Sequence, residues 1–350
     1  MAKLLLVKNQ FKKALVTSQT EERIITAALL RMGLIDADEQ PRITHLTGGV
    51  SSLIVRVDTR RGSLCVKQAL PELKVATHWS APLERSHAEL AWIAHVSKDL
   101  PEAVPTILGS DPSSFCFAMN WLPPESYPVW KLQLRDGVAD SVFAAEVGRR
   151  LAAIHSATAD NDALAQSFAN DENFFQLRLD PYFGATAKVH ADCAASLHEM
   201  ISTTAKNKRA LVHGDISPKN LLVGPTGPLF LDAECAWYGE PAFDAAFCLC
   251  HLLAKCLWRP TSSDAFLACF DEFAVAYLKG VRWENVEHIE SRIARLLAAI
   301  MLARVDGKSP LEYLNQHDSE RLRHFAKARV ISPRAKLKTI RDEWQRELQQ

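Results

Sequence analysis

Residues 211–223 read LVHGDISPKNLLV, a polar interruption from His213 to Asn220 between two short apolar runs. Leu211-Val212 and Leu221–Val223 have the content of buried strands, and Gly214 and Pro218 mark the segment between them as a loop. Within it, Asp215 is followed five positions later by Asn220. Asp and Asn in loops commonly cap their own backbone. The stretch therefore has two readings, a self-capped surface turn or an active-site loop, and the choice rests on residues elsewhere.

A second interruption, LFLDAECAWYG at 229–239, puts Asp232 at the end of an apolar run, 17 residues after Asp215, with Glu234 two positions on. A carboxylate at a buried strand end needs a partner, because burying an unpaired charge is costly. Asn220, Asp232 and Glu234 offer oxygen donors of the kind Mg²⁺ takes together with phosphate oxygens and water. A helix N-cap at Asp232 is the alternative.

Upstream, HLTGGVSSLIVRV (45–57) sets Gly48, Gly49, Ser51 and Ser52 between two strands. Paired glycines let the backbone approach a phosphate, although in a hairpin they also simply turn the chain. Lys67 sits mid-strand in LCVKQAL, and Glu89 lies on the helix expected around Ser86–Val96, where it can pair with the ammonium. Each alone also reads as a solvated surface charge; the combination is what carries information.

Periodicity organises the rest. Residues 9–34 form a helical pattern with an apolar stripe through Ile24, Ile25, Ala28 and Leu29. From Ile43 the period changes to two, with Leu53, Val55 and Val57 facing Leu64 and Val66 across a turn at Gly62. TILG and FCFAMNWL give two more strands, ended by Pro123-Pro124; Phe115, Phe117 and Met119 read as core. Beyond Pro124 the chain is largely helical: Phe143, Val147, Leu151 and Ile154 form one stripe. A hairpin is expected around Pro225–Gly227, a helix over Glu290–Val305, and a last helix from Pro333 with Ser332 as its N-cap. The division predicted is an N-terminal lobe, 1–122, and a helical C-terminal lobe, 123–350. That is an α+β chain with a small antiparallel sheet first.

Forty-one basic and 41 acidic residues leave no net field to draw in nucleic acid or an anionic membrane. The N-terminal MAKLLLVKNQFKK is too short in apolar content for a signal-peptide core, and the longest apolar run, Leu296–Ala303, cannot span a bilayer. The eight cysteines contain no CxxC pair and mostly lie in apolar runs, a pattern of buried thiols in a reducing compartment. The expectation is a soluble cytoplasmic protein; oligomeric state is not readable.

Taken together, the glycine loop, strand lysine, helix glutamate, HGDISPKN and LDAE occur in the order of the protein-kinase template. The HGD start, with LDAE in place of DFG, more closely resembles the aminoglycoside phosphotransferase family, which also includes choline-kinase-like and methylthioribose-kinase-like enzymes. The resemblance covers about residues 43–255. It implies the protein-kinase-like two-lobe fold, ATP and Mg²⁺. It gives Asp215 the substrate hydroxyl proton, Asn220 and Asp232 the metal, and Glu234 a second ion. Lys67, held by Glu89, meets the α- and β-phosphates under the loop Gly48–Ser52. Asn120 C=O and Leu122 N–H bond adenine at the hinge, and His213 and Asp244 brace the catalytic loop. No Gly follows Asp232, and Lys219 stands four residues after Asp215 instead of two, either neutralising the transferred phosphoryl group or solvated.

Eleven residues separate Asp232 from Asp244, too few for the long segment on which protein kinases lay a peptide. The expected reaction is ATP-dependent phosphorylation of a small-molecule hydroxyl. A nucleotide-binding regulator of the same fold with weak turnover is the alternative, and a protein kinase is disfavoured. Trp237-Tyr238 offers either an aromatic box for a quaternary amine or packing. Arg304, Asp306 and Lys308 are either acceptor ligands or a solvated helix end at Gly307.

Overall fold

The structure is a computed structural model describing residues 20–46, 52–70 and 83–350. Gly48, Gly49 and Ser51, and the part of the N-terminal helical pattern before residue 20, lie outside the described residues. The chain divides into two units, 1–90 with 105–122, and 91–104 with 123–350.

The first unit holds helix α1 (20–31) and the strands β1 (Arg42–His45), β2 (Ser52–Thr59), β3 (Gly62–Ala69), β4 (Ile107–Asp111) and β5 (Cys116–Asn120). All pair antiparallel in the order β1-β2-β3-β5-β4. Alternation does what the sequence expects: Leu53, Val55, Val57, Leu64 and Val66 are buried and share a core with Ile25, Ala28 and Leu29. Ile24 departs from its expected stripe and is exposed. Helical geometry explains this, since Ile25, Ala28 and Leu29 complete a stripe at i, i+3, i+4 that leaves Ile24 to one side. Helix α2 (Arg85–Val96) begins in this unit.

The second unit is helical. The long helix α4 (Ser141–Thr158), flanked by the short helices α3 (Trp130–Arg135), α5 (Asp162–Ser167) and α6 (Asp171–Phe174), leads into a π-helical stretch, Phe175–Gly184. Helices α7 (Ala185–Val189) and α8 (Ala194–Lys206) follow. Two small hairpin-like pairs then carry the polar interruptions. β6 (Ala210–Val212) pairs with β9 (Trp237–Gly239), and β7 (Leu221–Gly224) pairs with β8 (Gly227–Phe230). The remainder is α9 (Ala242–Trp258), α10 (Ser263–Gly280), α11 (Val286–Asp306), α12 (Gln316–Ile331) and α13 (Leu337–Leu348).

The buried stripe Phe143, Val147, Leu151 and Ile154 seats α4 as expected. Gly148 permits backbone contact with α10, because a Cβ there would stand 2.5 Å from Phe273 O. The C-terminal boundary is corrected. Ser332 does not cap a following helix; its N–H donates to Ala328 O at the end of α12, and α13 starts only at Leu337. All eight cysteines are free and buried. Among the described residues no helix is long and apolar enough to cross a membrane.

Candidate active site

The loop 213–220 is held from beneath by Asp244 in the first turn of α9. Its Oδ2 accepts His213 N–H and its Oδ1 accepts Gly214 N–H, both at 2.8 Å. Asp244 is fully buried, and His155 Nε2 lies 3.3 Å from Oδ2 while His155 Nδ1 meets Tyr277 OH at 2.9 Å. A carboxyl group buried this deeply is tolerated because several donors converge on it. Gly214 takes φ +80°, and a Cβ there would lie 2.8 Å from Cys235 Cβ, so the turn both needs the left-handed region and lets the two polar segments touch.

His213 laces those segments together. Its Nδ1 accepts Asp215 N–H at 3.2 Å and its Nε2 stands 3.0 Å from Leu231 O, which places the proton on Nε2. Burial pushes its pKa down, against the pull of Asp244, Asp215 and Asp232, so the ring is neutral. Leu231 N–H donates to Asn220 O at 2.9 Å, closing a second link between the loops.

Asp215 is 4% exposed. Its Oδ2 is 3.1 Å from Arg178 Nη2 and 3.2 Å from Lys219 Nζ. Burial works to raise the carboxyl pKa, but Lys219, Arg178 and His213 outweigh it and hold Asp215 below the usual carboxylate range. Asp215 in turn raises Lys219, against burial and with help from Asp232. Asn220 is buried, and its Nδ2 donates to Asp215 O at 3.0 Å, which leaves the amide oxygen as its remaining polar end. Ser217 Oγ, two residues from Asp215, is buried with no protein partner among the described residues.

Asp232 leaves β8 at φ +68°, a left-handed conformation that Asp tolerates better than most residues. No helix begins there: a turn at 234–235 leads to β9, so the N-cap alternative for Asp232 fails. Glu234 is 9% exposed, and its backbone O accepts Asn173 Nδ2 at 3.0 Å. Among the described residues no three His, Cys, Asp or Glu side chains converge as a ready cation cage. The donors of Asn220, Asp232 and Glu234, an amide oxygen and carboxylates, are hard-oxygen donors, which suits an ion that takes its other ligands from phosphates and water.

In the first unit, Lys67 Nζ meets Glu89 Oε2 at 2.6 Å, and both side chains are about 95% buried. Asn120 sits at the end of β5, where its Oδ1 accepts Thr106 N–H at 2.8 Å and its own N–H donates to Thr106 O at 3.0 Å. Among the described residues Leu122 N–H has no protein acceptor. Ser52 is buried at the start of β2.

Arg178 is the residue that sequence reasoning missed. It lies in the π-helical stretch, 7% exposed, with Nε donating to Gly214 O at 2.5 Å beside the Asp215 contact. Burial works to lower its pKa, but Cys235, Asp215 and Tyr182 raise it on balance. The available signal was a lone arginine inside the apolar run FFQLRL. The aromatic box is not formed. Trp237 is buried and stacks on Phe174 with centroids 4.1 Å apart, and Tyr238 OH donates to Thr158 O and Arg209 O. Asp306 is a brace, paired with His190 at 2.8 Å and Arg323 at 2.7 Å.

The signature of the phosphotransferase enzyme family matches residues 42–284. Methylthioribose kinase of Geobacillus sp. (strain WCH70) is 26% identical over 302 residues, covering 77% of this chain and 74% of the relative. Methylthioribose kinase of Escherichia coli O45:K1 is 25% identical over 251 residues, covering 63% of this chain and 59% of the relative. The solved amicoumacin kinase hAmiN, in complex with AMP-PNP, Ca²⁺ and Ami, aligns over 92% of this chain and 97% of its own with a TM-score of 0.55. At 15% identity that likeness concerns the fold.

Proposed function

The chain belongs to the phosphotransferase enzyme family and is a small-molecule kinase of protein-kinase-like, two-lobed α+β fold; we propose that Asp215 presents a small acceptor's hydroxyl to the γ-phosphoryl group of ATP. The observation that carries the reading is Asp215 itself, a buried carboxylate held by Arg178 and Lys219 on a loop tied to the Asp232 segment. In the reaction the hydroxyl oxygen bonds to the γ-phosphorus and the bond to the β-phosphate oxygen breaks. ADP leaves, and the hydroxyl proton passes through Asp215 to solvent.

A carboxylate held this far below its ordinary range is a weak base. Asp215 therefore orients the hydroxyl first and takes the proton only as the new bond forms, which a loose transition state allows. Lys219, half-exposed, is placed to offset charge on the transferred group. Asn220 and Asp232, with Glu234, would hold Mg²⁺, which when bound neutralises charge shared by the phosphate oxygens. Lys67, oriented by Glu89, would meet the α- and β-phosphates, with Ser52 and the loop containing Gly48, Gly49 and Ser51 over them. Asn120 C=O and Leu122 N–H would receive adenine. Eleven residues between Asp232 and Asp244, three of them in β9, give no platform for a peptide and favour a small acceptor. The buried thiols suit a reducing cytoplasm.

The test is ADP release against a panel of small hydroxyl compounds with MgATP. The expected result is release well above the acceptor-free background for at least one class. Robust phosphorylation of a protein substrate with every metabolite refused would overturn it.

A further inference from the structure

One face of α9 runs from the candidate active site toward a second set of charged groups. Phe247, His251 and Lys255 succeed one another at intervals of four residues, so this stripe extends roughly 12 Å. Arg178, the partner of Asp215, lies over the Phe247 ring at 5.9 Å, and Phe247 meets His251 at 5.4 Å. At the far end Lys255, 1% exposed, has Nζ 4.6 Å from the Trp258 ring and 4.8 Å from the Tyr313 ring. Tyr182 bridges a parallel route: Arg178 lies over its ring at 5.9 Å and Arg304 at 6.0 Å.

The positive charge on this wall meets aromatic rings but, among the described residues, no carboxylate. Lys255 and Arg304, both at least nine-tenths buried, have no carboxylate within ion-pair distance among the described residues. Arg304 Nη1 donates only to Tyr182 OH and to Ser309, while Arg304 Nε and Tyr313 OH are buried with no hydrogen-bond partner among the described residues. The neighbouring acid, Glu312, is taken by Lys131 at 2.5 Å. Buried cations and donors left this way are costly unless something satisfies them. Burial, with Lys131 adding to it, lowers the Lys255 pKa to about 7, against the weaker pull of Glu312.

Resting on the kinase reading above, we infer that the acceptor carries an anionic group as well as a hydroxyl. The anion meets Arg304, Lys255 and Tyr313 OH while the hydroxyl faces Asp215. An anion at that end satisfies two cations and two orphaned donors at once. A cationic acceptor, such as an amino alcohol or an aminoglycoside, would add to the unpaired positive charge. Hydroxy acids, sugar acids included, belong to this class.

The experiment uses matched acceptors: hydroxycarboxylates of four to eight carbons, their primary amides, the corresponding amino alcohols, and phosphate monoesters of the same diols. ADP release is measured with MgATP, and binding of the same compounds to Asp215→Asn protein is measured by calorimetry, a readout independent of turnover. The acids or the phosphate esters, whichever source of the anion fits, should exceed their neutral and cationic counterparts by about 100-fold in kcat/KM and in affinity. Arg304→Gln and Lys255→Met should each erase most of that discrimination through KM. Lys255→Met should also raise Tm, because it removes an unpaired buried charge while keeping the stem, so loss of selectivity there is not misfolding. Anion-selective binding without turnover of any acceptor would keep this inference and overturn the kinase reading. Turnover of amides or amines as good as that of the acids, or discrimination unchanged in both variants, would keep the kinase reading and overturn this one.

Discussion

Arg178 Nη2 lies 3.1 Å from Asp215 Oδ2, and the same guanidinium donates through Nε to Gly214 O. One side chain from the π-helical stretch thus fixes both the carboxylate and the backbone turn that presents it. Lys219 completes the neutralisation from the solvent side at 3.2 Å.

Arg178→Met should move the acid limb of the kcat/KM profile upward by about one pH unit or more, one unit being 1.36 kcal/mol of lost preference for the ionised form. In the native protein the folded pKa of Asp215 is depressed. Its stabilising contribution is therefore present above the ordinary carboxylate value of about 4 and lost as pH falls below it. Native activity should show no limb from Asp215 between pH 5 and pH 8 (about the range where a His limb would fall). A profile unchanged in the variant would remove Arg178 from any role at Asp215.

Asp215→Asn should lower turnover by about 10²–10⁴-fold, the usual weight of a proton-accepting group. The substitution keeps size and one acceptor, so nucleotide affinity should stay within a few-fold, read by calorimetry with a non-hydrolysable ATP analogue. Near-native turnover would mean that another group faces the hydroxyl.

Asp232→Asn should abolish Mg²⁺-dependent ATP binding with little change in Tm. Asn tolerates the left-handed backbone of this position as well as Asp does, and no helix starts here for a cap to stabilise. Titrating MgATP and recording a melt on one sample separates the two effects; intact affinity with a lowered Tm would make Asp232 purely structural.

Asp244→Ala should destabilise the protein by about 2–6 kcal/mol, since it strands two buried backbone N–H groups at about 1–3 kcal/mol each. Those donors belong to His213 and Gly214, so turnover should fall further than Tm alone explains. Chemical denaturation and single-turnover rates on the folded fraction check this. A stability change below about 0.5 kcal/mol, typical of an unimportant surface site, would show that the loop is held by other contacts.

The sequence by itself determined the alternating strands, the α4 stripe and where the polar interruptions fall. Strict alternation in β2 and β3 leaves only one face able to bury Leu53, Val55 and Val57, and an apolar recurrence at three- and four-residue intervals does the same for α4. The spacing of Asp215, Asn220, Asp232 and Asp244 was legible because those charged or amide side chains interrupt runs that are otherwise apolar. Tertiary structure decided what those side chains touch. Arg178, 37 residues before Asp215, reaches the carboxylate only because the π-helical stretch folds against the 213–220 loop. Trp237 and Tyr238 became packing instead of a cation box once β9 paired with β6. Ser332 closed α12 instead of opening α13, since both roles use the same short polar residue and only the path of the chain separates them. That Lys255 and Arg304 meet no carboxylate among the described residues is likewise invisible in one dimension: whether a cation has a partner depends on every helix packed around it, and charge counts that balance over the whole chain conceal a local excess.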